Sequence, residues 1–323
     1  MMRLCITAMV ALAFLGNANA QKPVGLPDNY PSKPIRIVIA SSPGGGLDLC
    51  GRVVATRLSE RWGSVIAENR PGNSIAFEAV LRAPADGYTL LAGSITAFVG
   101  AELVLKSPFN VRTDFPPIAQ CINTTYIVSV NNDLPVSSLG QFVAYAKANP
   151  NKLNYAYGTL GNAPQLFGEL LRLVTRIDMQ GIPFKGVGPS YLEQMAGRIN
   201  LTVGTTASSG PLVRAGKIRG IAVTSEARAK AFPDIPTVRE TFPKFDVLGA
   251  WIGILGVKGM PAAIINGLNK EINSILSMPE VEKIFTTDGS EIPYNTPEQF
   301  RKVIADSLDS TARIVKEANI TLE

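Results

Sequence analysis

Three consecutive glycines, Gly44, Gly45 and Gly46, stand between Ser42 and the pair Leu47-Asp48, in a chain that has no histidine. Glycine lets backbone approach a ligand closely. Where a strand hands over to a helix, the first helical amides have no partner inside the helix, and the helix dipole adds positive potential there. Such a turn suits a small anion. It is neither a dinucleotide fingerprint nor a P-loop, because the glycine spacing differs and no Lys-Ser/Thr follows. A second turn of similar make-up, Thr159-Leu160-Gly161-Asn162, separates a strand-like from a helix-like segment in the other half of the chain. Two such turns facing each other across a cleft would form a pincer. Asp48 has three readings: a general base, an acceptor for a ligand amine, or an acid that steadies the first helical turn, the last being the default.

What is missing narrows the chemistry further. Without histidine there is no Ser-His-Asp or Cys-His catalysis and no histidine metal site. No two carboxylates stand out as a glycosidase pair, so no catalytic residue, metal or cofactor is assigned. Lys185 reads as a solvated turn residue or a ligand contact, Arg70 as structural, and Trp251 as core or pocket wall. The net charge of +5 is mild and its basic residues are scattered, which speaks against nucleic acid. Cys50 and Cys121 could pair in an oxidising compartment, but both lie in core-like segments, where two buried thiols fit better.

The elements that must position these turns follow a repeated rhythm. At 323 residues and 46% hydrophobic content the chain has room for two ordinary domains. Residues 1–20 read as a secretory leader: Arg3, an apolar run over 6–15, and Ala18-Asn19-Ala20 as the cleavage site. The apolar run is too short to span a bilayer. Residues 35–40 then predict a buried strand, with a helix from Asp48 whose inward stripe is Leu49, Val53, Val54 and Leu58. Further strands are expected over 64–68 and 88–92, with a helix over 75–83 between them, and Ser94 and Thr96 just beyond the third strand. Alternating strands and helices indicate a parallel sheet whose ligands sit beyond the carboxyl ends of its strands. After a long apolar segment over 118–130 the rhythm restarts, with helices over 138–149, 164–177, 189–196 and 211–215 and strands over 153–158, 179–184, 201–204 and 218–224. Residues 231–243 look like a linker, and 247–257 like another strand. The closing helices, over 262–276, 280–285 and 300–318, suggest a return to the first lobe.

Ordered along the chain, several short motifs resemble the solute-binding receptors of tripartite tricarboxylate transporters, the Bug or TctC family. They are Pro43-Gly44-Gly45-Gly46-Leu47-Asp48, Glu68-Asn69-Arg70-Pro71-Gly72, Asp86-Gly87-Tyr88-Thr89-Leu90-Leu91, Pro183-Phe184-Lys185-Gly186 and Pro233-Asp234-Ile235-Pro236-Thr237. The resemblance implies a type II periplasmic-binding fold, α/β in class, with two α/β lobes and a ligand cleft between them. It divides the chain into a leader (1–20), a first domain (21–123 plus 244–323) and a second (124–243). The implied function is that of a monomeric, periplasmic, non-catalytic receptor that delivers a small organic carboxylate to membrane permease subunits. An exported enzyme using Asp48 and a ligand-responsive sensor are the alternatives. Carried over by motif, the ligand-binding residues are Ser42, Gly44, Gly45, Gly46, Leu47 and Asp48 in the first loop, Ser94 and Thr96 beside it, and Thr159, Gly161 and Asn162 in the second. The chain departs from the pattern in five places. Leu47 replaces a hydroxyl residue and hints at a more apolar ligand, Asn73-Ser74-Ile75 replaces a glycine-containing stretch, Gly204 replaces an aspartate, and Gln165 and Gly181 replace histidines.

Overall fold

Four β-branched residues, Ile35, Ile37, Val38 and Ile39, are fully buried on both faces of the first strand, as a central parallel strand requires. The computed structural model describes residues 25–41, 43, 46–70, 73–99, 109–158, 162–184, 187–245, 249–287 and 289–317. Its first elements are β1 (Ile35–Ile39), α1 (Gly46–Trp62), β2 (Val65–Asn69), α2 (Asn73–Leu81), β3 (Thr89–Ser94), α3 (Ile95–Phe98), α4 (Val111–Asp114) and β4 (Pro117–Thr124). There follow β5 (Tyr126–Val130), α5 (Leu139–Ala148), β6 (Asn154–Tyr157), α6 (Ala163–Thr175), β7 (Gln180–Pro183), α7 (Val187–Met195), β8 (Leu201–Thr205), α8 (Thr206–Arg214) and β9 (Arg219–Val223). The chain closes with α9 (Val238–Thr241), β10 (Ala250–Leu255), α10 (Ala262–Leu276), α11 (Pro279–Thr286) and α12 (Pro297–Glu317).

Two five-stranded sheets result, ordered β2-β1-β3-β10-β4 and β7-β6-β8-β5-β9. Their plans match strand for strand. In the first, β1 pairs in parallel with β2 and β3, while β10 runs antiparallel between β3 and β4. In the second, β6 pairs in parallel with β7 and β8, while β5 runs antiparallel between β8 and β9. Each antiparallel strand arrives from the other lobe, so the chain crosses twice: once through Thr125, between β4 and β5, and once between β9 and β10. This is the two-lobed α/β architecture that the rhythm of the sequence implies.

The structure corrects several local expectations. Helix α1 begins at Gly46, and its buried stripe is Leu47, Cys50, Val54 and Leu58; Leu49 is 41% exposed. The apolar run over 118–130 is not one element: it changes sheets at Thr125. Residues 231–243 are not a free linker. Phe232 and Ile235 pack with Ile127, Val223 and Ala229, and Thr237 and Glu240 form a reciprocal capping box on α9. Helix α8 starts well before Pro211, at the N-cap Thr205. Trp251 is core, 1% exposed, with Phe98 and Phe300 against its ring.

The cysteines provide a further correction, because Cys50 and Cys121 form a disulfide across 71 residues of sequence. Both are fully buried; burial and pairing are compatible because α1 packs across the sheet as far as β10, next to β4. A bridge closing so long a loop restricts the unfolded chain strongly, contributing roughly 2–5 kcal/mol. A Cys50→Ala/Cys121→Ala variant of the chain lacking residues 1–20 should therefore melt well below the parent. Denatured without reductant, that parent should show no titratable thiol; two free thiols per chain would contradict the bridge.

Candidate functional site

Parallel strands carry every following helix start to one edge. In the first lobe β1, β2 and β3 lead into α1, α2 and α3; in the second, β6, β7 and β8 lead into α6, α7 and α8. Both crossovers leave from that same edge, since β4 and β9 run parallel to these strands and end there. The two carboxyl edges therefore meet where the lobes are joined. There the hydroxyls of Thr124 and Thr206 approach to 3.4 Å, and Asn123 exchanges two backbone hydrogen bonds with Glu291.

At the first-lobe edge, Asp48 is 6% exposed. Its Oδ1 accepts from Asn69 Nδ2 and from Arg52 Nε, both at 2.8 Å. Arg52 also donates through Nη2 to Asn69 Oδ1, and Asn69 Nδ2 donates to Ser41 O at 3.1 Å. A buried carboxylate needs such donors, or its desolvation is uncompensated. The result is a knot joining the start of α1, the end of β2 and the entry to the glycine turn. Asp48 thus ties the start of α1 to the end of β2. Neither Asn69 nor Arg52 stands out in the sequence as a site residue, although Asn69 lies in the Glu-Asn-Arg-Pro-Gly motif and Arg52 follows Asp48 by one helical turn, the spacing of an ion pair. Arg70 pairs with Glu68 at 2.7 Å, in keeping with a structural role.

Three of the helix starts at these edges are capped by a side chain. Ser94 Oγ accepts from Ala97 N at 3.3 Å, Asn162 Oδ1 from Gln165 N at 3.1 Å, and Thr205 Oγ1 from Ser208 N at 3.3 Å. Each cap satisfies the third amide of its helix and fixes the direction of the amides before it. Ser94 Oγ also lies 3.1 Å from Thr96 Oγ1. The structure thus places Gly46, Leu47, Asp48, Ser94 and Thr96 along the first edge and Asn162 on the second. Ser42, Gly44, Gly45, Thr159 and Gly161 lie outside the described residues, as does Lys185. Leu47 is buried in the hydrophobic core, which removes the argument that its side chain makes the ligand site apolar.

Elsewhere, a cavity of about 460 Å³ lined by Leu153, Arg172, Asp178 and Gly181 opens at the amino ends of β6 and β7, away from these helix starts. Among the described residues no group of acids and cysteines could hold a metal ion, and no helix is long and apolar enough to cross a membrane.

Known proteins share both sequence and architecture with this chain. The protein BugT of Bordetella pertussis is 32% identical over 316 residues, covering 96% of each chain. A protein of R. palustris solved with adipate superposes with a TM-score of 0.76 at 28% identity, covering 91% of this chain and all of the other. The periplasmic binding protein BugD superposes with a TM-score of 0.74 at 27% identity and the same coverage. Residues 50–320 match the family model described as tripartite tricarboxylate transporter family receptor. With that match spanning most of its length, the chain belongs to the TctC family of tripartite tricarboxylate transporter receptors.

Proposed function

We propose that this receptor takes its carboxylate in the cleft between the two carboxyl edges, held by the glycine turn around Gly44–Gly46 and by the facing turn before Asn162. The observation that carries the reading is the meeting of two equivalent sheet edges, each bearing helix starts, at the crossovers. The adipate held by the R. palustris relative supports the ligand class. On this reading oxygens of the acid accept hydrogen bonds from backbone amides. Hydrogen bonds to a charged group contribute about 1.5–3 kcal/mol each, and micromolar affinity requires about 8 kcal/mol. Four such bonds, two from each lobe, reach that size before the ordering cost, so no arginine clamp is needed.

The remaining parts of the reading follow from it. Residues 1–20 are a cleaved export leader and the mature receptor works in the periplasm as a monomer. Residues 21–123 with 244–323 form one lobe and 124–243 the other, and the lobes close on ligand by hinge motion at the two crossovers. The closed form delivers the acid to permease subunits. Catalysis by Asp48 is disfavoured because its Oδ1 already serves Arg52 and Asn69, so the protein binds its acid without converting it.

Two variants test the site. Gly45→Val puts a branched side chain where the backbone must approach the ligand. Calorimetric titration against a panel of mono-, di- and aromatic carboxylates should show binding lost with the melting temperature nearly kept; parental affinity would refute the amide pincer. Asp48→Asn removes the charge that Arg52 and Asn69 share. It should lower stability by about 1–2 kcal/mol, given that Arg52 is half exposed, and weaken binding only modestly. A tenfold or greater loss of affinity at unchanged stability would instead place the Asp48 carboxylate on the ligand.

A further inference from the structure

Gly204 is the penultimate residue of β8, at the ligand-facing edge of the second lobe, and no side chain fits there. A Cβ at this position would lie 1.8 Å from the Tyr191 hydroxyl, 2.6 Å from Ser209 Oγ and 2.8 Å from Ser208 Oγ. The space beside the strand is occupied by the tip of Tyr191, which reaches across from α7 to the first turn of α8. Its hydroxyl is 2.5 Å from Ser209 Oγ and 3.1 Å from Ser208 Oγ. Ser208 Oγ lies 3.2 Å from Thr205 Oγ1 and donates to Thr205 O at 3.1 Å. Tyr191 and Ser209 are buried, while Ser208 and Thr205 are only half-buried, so the cluster runs from the interior outward to the surface at the start of α8. Thr206, the next residue, is the one that meets Thr124 at the crossover.

The hydrogen-bond partners of Tyr191 in this cluster are hydroxyls. Burial raises the tyrosine pKa, and the two serine hydroxyls act against that rise without cancelling it, so the group is a neutral phenol at any physiological pH. Such a wall donates to and accepts from oxygen but supplies no countercharge. A ligand ammonium placed against it would lose its water without gaining an anion. Across the cleft Asp48 already takes Arg52 and Asn69.

We propose that Tyr191, with Ser208, is the specificity-determining pair of the second lobe and selects hydroxy-substituted carboxylic acids against their amino-substituted counterparts. This rests on the carboxylate cleft described above. Tyr191 acts by filling the space at Gly204 and orienting Ser208, and Ser208 meets the ligand. The ammonium of an amino acid is the group excluded.

The test uses matched probes differing in one substituent: hydrogen, hydroxyl or ammonium on the same carbon. Suitable series are succinate, malate and aspartate; glutarate, 2-hydroxyglutarate and glutamate; adipate, 2-hydroxyadipate and 2-aminoadipate; and phenylacetate, mandelate and phenylglycine. Within the series that binds tightest, the amino member should bind at least roughly 100-fold more weakly than the hydroxy member, the scale of an unpaired buried charge. Tyr191→Phe, which keeps the ring, and Ser208→Ala should each weaken the hydroxy member about 3- to 10-fold and shrink its advantage over the unsubstituted acid. A purely structural role for either residue would leave that ratio unmoved. Binding of the amino member less than roughly 100-fold weaker than the hydroxy member, or an unchanged ratio in either variant, overturns the proposal while leaving the carboxylate reading intact. Failure of every probe to bind the parent protein overturns the carboxylate reading, and this proposal with it.

Discussion

In each lobe one strand runs against its neighbours, and the rest of the molecule follows from that. β10 completes the first sheet only after the chain has built the second, and β5 opens the second as soon as the chain has left the first. An antiparallel strand entering beside parallel ones must start at their carboxyl ends. Both crossovers are thereby forced onto the edge where the helices begin. The crossovers and the anion-friendly helix starts share one place as a matter of chain geometry. Helix α12 packs against β4 and against α6 of the second lobe, and Lys230 pairs with Glu291 at 3.1 Å, so the join has contacts beyond the two connecting strands.

Polar groups near that edge serve mainly to hold backbone in position. Asp48 fastens the start of α1 to β2 through Asn69 and Arg52, and Ser94, Asn162 and Thr205 each take the third amide of a helix. A site that binds an anion through main chain can use side chains in this way: the donors are amides, and the side chains fix where they point. Each such group is satisfied within its own lobe, so a lobe can move without breaking it. Deeper in the second lobe Gln194 donates to Ser129 O at 2.9 Å and accepts from Thr202 Oγ1 at 2.8 Å, tying α7, which carries Tyr191, to β5 and β8.

Much of this architecture can be read from the sequence, because strands such as Ile35–Ile39 and stop signals such as Asn149-Pro150 are local features. The Gly-Gly-Gly turn and the cap at Asn162 are local too, and they identify both edges. The change of sheet at Thr125 is not local. The residues on either side are equally apolar because each is buried in a core of its own, and periodicity does not register a change of core. The Cys50–Cys121 bridge depends on α1 reaching across the sheet, which spacing cannot reveal. Leu47 looks like a ligand contact beside the glycines, yet helical geometry turns it inward with Cys50 and Val54. The meaning of Gly204 is invisible without Tyr191, which lies on another helix and fills the space that the missing side chain leaves.

The proposed site puts an organic acid between the two helix-bearing edges with its carboxylate on main-chain amides. The most direct measurement is a crystal structure of the mature chain with the tightest-binding acid of a carboxylate panel. Carboxylate oxygens should lie within hydrogen-bond distance of amides of residues 44–48 and of the residues preceding α6, with the lobes closed over the ligand. A ligand seated away from both turns, or held chiefly by arginine or lysine side chains, would contradict it.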